Sequence, residues 1–80
     1  MNEIEFEQIS QLMKEKLNFY EWERYWVKYC IQILENAISI TGKKEIQFGI
    51  EALQRRCREL TSIMNQIHNE YSKIWEEYRK

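Results

Sequence analysis

Six aromatic side chains fall within eleven residues, at Phe19, Tyr20, Trp22, Tyr25, Trp26 and Tyr29, and Tyr71, Trp75 and Tyr78 add three near the C-terminus. Large rings with a polar tip bring contact area at low entropic cost, so they concentrate in cores, interfaces and ligand pockets. The chemistry they offer here is recognition. Trp22, Trp26, Tyr29, Ile33 and Ile40 keep a helical spacing, while Tyr20 and Tyr25 lie off the main stripes and are the best placed for surface contacts. Tyr20, Trp22, Tyr25, Trp26 and Tyr29, with Trp75, are therefore the candidate partner-binding residues.

A second group is basic. Arg55, Arg56 and Arg58, with Lys43 and Lys44 upstream, could contact phosphates and carry a nucleic-acid-binding role. Glu51 and Glu59 stand four residues either side of Arg55, however, at the spacing of intrahelical ion pairs. A solvated, salt-bridged face is the favoured reading, and a small nucleic-acid-binding regulator is the alternative. Gly42-Lys43-Lys44 lacks the upstream glycine of a phosphate-binding loop and reads as an ordinary turn.

Catalytic and metal-binding chemistry finds little to build on. His68 is the only histidine, and Asn65 stands three residues before it, where a helical Glu-x-x-His ligand pair would need Glu. It is expected to be partly buried and hydrogen-bonded. Cys57 and His68 are too far apart for a local metal motif. The chain has no aspartate and no Gly-x-Ser-x-Gly turn, and Glu3, Glu5 and Glu7 are ordinary for a helix start. No enzymatic activity, cofactor, metal or small-molecule substrate is expected.

The elements that must position these side chains are helical. Ten positions spaced alternately four and three apart, Ile46, Ile50, Leu53, Cys57, Leu60, Met64, Ile67, Tyr71, Ile74 and Tyr78, are all apolar or aromatic. That is an unbroken heptad seam, and it must be buried against another helix. Three helix starts are legible. Asn2 can cap, with Glu5 at N3 and Met1 and Phe6 as a hydrophobic staple, and the same pattern recurs at Asn18 with Glu21, Leu17 and Trp22. Gly42 can close one helix in a left-handed conformation, and Thr41 or Gly42 can cap the next near Glu45.

The 80 residues include no proline and two glycines, with 44% hydrophobic and 31% charged, which fits one helical domain spanning 1–80. The expected fold is all-α: a long helical hairpin with a kinked first arm, three helices at about 3–16, 19–40 and 43–79, with residue n near residue 83 − n. At 1.5 Å per residue the last helix is roughly 55 Å long. Trp22, Trp26, Tyr29, Ile33 and Ile40, together with Val27, Ile31, Leu34 and Ile38, give the second helix more apolar surface than one neighbour covers. Pairing into a four-helix or larger assembly follows, either as a homodimer or with a larger protein.

The net charge of −1 offers no global attraction to nucleic acid or to an anionic membrane. Residues 1–40 carry seven Glu against four Lys or Arg, and residues 41–80 six against eight. No run approaches the roughly 18–20 apolar residues of a membrane span, and the N-terminus is acidic. A cytoplasmic location is expected. Cys30 and Cys57 are expected to be free, largely buried thiols, because an axial offset of roughly 6 Å added to an interaxial spacing of about 8–10 Å puts their Cα atoms beyond the ~7 Å that a disulfide tolerates. The functional expectation is a non-enzymatic interaction module, an adaptor, inhibitor or assembly subunit, working through the aromatic-rich helix face.

Overall fold

The computed structural model describes residues 1–80 and consists of two helices, α1 over Glu3–Thr41 and α2 over Ile46–Arg79. They fold back on each other as a hairpin of 59 × 15 × 11 Å, with no strand. At its start, Asn2 accepts a hydrogen bond from the Glu5 backbone N–H at 2.8 Å. The Glu5 carboxylate in turn accepts from the Asn2 side-chain amide at 3.3 Å. Met1 remains 52% exposed, and Phe6 stacks on Tyr78 at the far end of α2, with ring centroids 4.1 Å apart.

The turn is built as its residues require. Gly42 sits at φ 69°, ψ 11°, a left-handed conformation that a side chain would strain, and its N–H donates to the Ile38 carbonyl at 2.7 Å. Thr41 donates through Oγ1 to the Ala37 carbonyl and accepts from the Lys43 N–H. A tight turn over Lys43 to Glu45 then leads into α2, whose N-cap is Glu45 and not Thr41 or Gly42. Its negative charge lies at the positive end of the helix.

The three-helix arrangement is corrected to two. Asn18 and Glu21 lie exposed inside a continuous α1, with no kink or restart between 16 and 19. The capping pattern is satisfied only when the chain enters a helix there. Here Met13, Leu17 and Tyr20 follow one another along the same face, and a break would pull them off α2. The hairpin register holds to within about one turn of the n to 83 − n relation: Leu34 packs near Gly49, Arg24 bonds Thr61, and Ser10 bonds Tyr71.

All ten positions of the α2 seam are buried or half-buried. Their partners on α1 form a second seam at the same four-three spacing: Phe6, Ser10, Met13, Leu17, Tyr20, Arg24, Val27, Ile31, Leu34 and Ile38, again all buried or half-buried. Two polar residues belong to it. Ser10 donates to the Tyr71 hydroxyl at 3.4 Å, and Arg24 donates to Thr61 Oγ1 at 3.2 Å. The deepest side chains are Ile50 and Leu60, at 2% and 0% exposure. Only five residues in the chain are buried, so a single seam carries the whole fold.

Candidate functional site

The residues of α1 that face away from α2 form a third row of heptad positions. Leu12, Phe19, Trp26, Ile33 and Ile40 recur every seven residues, and Trp22 and Tyr29 stand three after Phe19 and Trp26. The seven-residue row points about 130° away from the middle of the inner seam, and Trp22 and Tyr29 point about 180° away, so the surface as a whole faces away from α2. All of these side chains are exposed, from 48% at Tyr29 to 84% at Ile40. Tyr25 flanks them at 60% and links Trp22 to Trp26, each ring edge-on to the next at centroid distances of 6.0 Å. Trp26 meets Tyr29 in the same way at 5.9 Å. Between Asn18, Glu21, Trp22 and Tyr25 lies a shallow open groove of about 290 Å³.

Of the partner-binding candidates, Trp22, Tyr25, Trp26 and Tyr29 are brought together on this one surface. Tyr20 is not. It sits in the inner seam, half-buried, and lines the flank of the helix pair with Ile63 and Ile67. Its position off the aromatic stripe suggests surface exposure, whereas it marks the other face of the helix. Trp75 is also separate. It lies on α2 near the open end of the hairpin, 42% exposed, with its ring against Phe6 at 5.4 Å. Leu12, Phe19, Ile33 and Ile40 belong to the surface and were absent from the candidate set. The seven-residue recurrence is the signal that finds them.

The basic residues do not converge. Arg56 turns toward α1 and bonds both carboxylate oxygens of Glu23, the shorter at 2.8 Å, and also Glu59 at 3.2 Å. Its pKa is raised first by the hydrogen bond to Glu59 and then by Glu23, against a desolvation that pulls the other way. Arg55 and Arg58 point outward from different rows of α2, and Lys43 and Lys44 lie in the turn about three helical turns from Arg55. The ion pairs of this region run through Arg56 and not through Arg55 as its spacing suggested.

His68 is exposed, contrary to the half-buried placement read from its position beside the seam. Cys57 occupies the seam, half-buried, and Cys30 is exposed on α1, so both thiols are free but only one is sheltered. Cys30 lies on the flank of α1, in the row of Glu23 between the inner seam and the outer stripe, and is exposed there where burial is expected. No helix is long and apolar enough to cross a membrane. Comparison with protein families, with curated protein sequences and with solved structures returned no match.

Proposed function

We propose that this chain is a non-enzymatic helical interaction module, of the kind that serves as an adaptor, inhibitor or assembly subunit, whose working surface is the outer aromatic row of α1. A single observation carries the reading. Large apolar side chains from Phe19 to Ile40 lie together on one exposed helix face that the fold itself does not use. Contiguous apolar surface of this kind marks an interaction site in a stable protein, because its exposure to water is otherwise unfavourable. Rings that hold each other edge-on are also partly pre-ordered, which lowers the entropy lost on binding.

The double variant Trp22→Ala/Trp26→Ala tests the reading. It should keep the helix content and thermal melt of the isolated hairpin, since neither ring is in the inner seam, while losing association of either kind. Self-association is read by sedimentation, and binding of a host protein by co-purification beside the wild-type chain. A double variant that unfolds would make these rings structural. Wild-type and variant chains that behave alike in both assays would remove the proposed role.

A further inference from the structure

We infer that the occupant of the α1 outer face is a second copy of this chain, packed antiparallel about a two-fold axis near Trp26, in a flat layer ordered α2, α1, α1 of the second copy, α2 of the second copy. The inference rests on the interaction-module reading and names its partner. Three observations support it, of area, charge and orientation.

The first is area. A compact 10.0 kDa monomer exposes about 5,200 Å², and this chain exposes 6497 Å². The excess reflects a thin rod of 59 × 15 × 11 Å, and covering one long face would remove more than half of it. Apolar and aromatic side chains present roughly 100 Å² each at about half exposure. The outer row and Tyr25 together therefore offer on the order of 800 Å², which is what each partner of a stable interface contributes.

The second is charge. The three outward rows of α1 hold eleven residues from Asn18 to Ile40, and none is charged. Such a face gives a partner of opposite charge nothing to recognise, and it meets its own copy without repulsion. Asn18 and Gln32 lie among the apolar residues as neutral donors and acceptors that come opposite each other when two copies run antiparallel about Trp26. Uncharged, aromatic-rich centres are also what distinguish interface cores from the remaining surface.

The third is orientation. The stretch from Phe19 to Ile33 is centred on Trp26, so an antiparallel copy places Phe19 toward Ile33 of the second copy and overlaps the aromatics over about 21 Å. Glu15 then lies beside Asn36 of the second copy, whose amide can donate to its carboxylate. A parallel copy would set Glu15 against itself and align the two helix dipoles. Because the outer row lies nearly opposite the inner seam, each α2 stays on the outside, so the four helices form a layer and not a square bundle.

Sedimentation equilibrium on the full chain at micromolar concentration should give twice the 10.0 kDa chain mass. Trp26→Glu puts a charge at the axis and should weaken the dimer by about two orders of magnitude with unchanged helix content; Ile33→Glu is a second reading should the first variant unfold. Ser62→Glu, on the outer face of α2, should dimerise as the wild type does. In a Cys30→Ser background, Tyr25→Cys should oxidise to a covalent dimer and Asn36→Cys should not. A monomeric wild type, a dimer that survives both glutamates, a dimer lost equally in Ser62→Glu, or a covalent Asn36→Cys dimer would each overturn this arrangement. A monomeric wild type that still retains a host protein through Trp22 and Trp26 would overturn the second copy alone and leave the interaction-module reading in place.

Discussion

The two helices of the hairpin share one inner interface and differ on their outer faces. On α2 the three outward rows from Phe48 to Arg79 hold fourteen residues, of which only Phe48 and Ala52 are apolar and seven are charged. On α1 the corresponding rows from Asn18 to Ile40 hold no charge and seven large apolar or aromatic side chains. An ordinary surface helix has a single apolar stripe and a charged back, which describes α2. A helix apolar on two opposite sides is one that expects neighbours on both. The inward seams show the reverse arrangement. That of α2 is apolar throughout, whereas that of α1 contains Ser10 and Arg24. Folding alone would be better served with the polar pair outside and the aromatics inside, and the interaction role proposed above rests on that contrast.

If the inner seam alone holds the fold, the largest effect belongs to its centre. Leu60 is fully buried among α1 side chains, and truncating a buried aliphatic to alanine costs about 2–5 kcal/mol. A small single-core domain has little more than about 5 kcal/mol in total, so Leu60→Ala should leave the chain largely unfolded by circular dichroism at room temperature. The contrast with Trp26 is the informative part. A leucine variant that melts within a few degrees of the wild type would mean that the outer row shares in holding the chain together, and the division between the two faces would fail.

What the sequence conveyed and what it withheld divide along the same line. The α2 seam was legible because ten of ten positions are apolar and the back of the helix is polar, so only one face can be inside. On α1 two rows compete. The aromatic row is the more conspicuous, and Ser10 and Arg24 interrupt the true seam, so residue type alone could not say which row meets α2. For that reason Tyr20 reads as an outward residue although it faces α2, and Leu12 does not stand out. Asn18 and Glu21 form a valid capping pair in a chain that turns there, and only the continuity of Met13, Leu17 and Tyr20 against α2 keeps the helix running. The end caps were legible because Asn2 and Gly42 act through their own local geometry, independently of which face is inside.

The turn offers a smaller test. An alanine at position 42 would meet no atom within 4 Å, so its cost is that of the left-handed backbone at φ 69° alone. That is about 1 kcal/mol once the lower entropy of the unfolded alanine chain is counted. Gly42→Ala should lower the melting temperature by about 5 °C while leaving self-association unchanged, because the turn sets the hairpin and not the outer face of α1. A change in association would show that the angle between the helices, and not the α1 surface alone, shapes the proposed binding face.

The smallest effect is expected at Glu23, which lies on α1 in the row between the inner seam and the outer stripe. Beyond Lys16 it is the one charge in that row before the turn, and its pairing with Arg56 at 2.8 Å draws it toward α2 and away from the aromatics. Both side chains keep a third or more of their surface in water, so solvent screens the pair and its share of stability is slight. The sign with pH follows from the raised pKa of Arg56. A cation whose folded value is raised contributes below its unfolded value and loses that contribution only as pH passes through the folded value, which here lies in strong alkali. Glu23→Gln should therefore lower the melting temperature slightly at low salt, by an amount that loss of Arg56 protonation does not alter near neutral pH. In about 1 M salt, where screening acts over roughly 3 Å, the difference should vanish. A large loss that persists in high salt would make Glu23 a structural member of the helix pair, and the boundary between the inner and outer faces of α1 would have to be moved outward by a row.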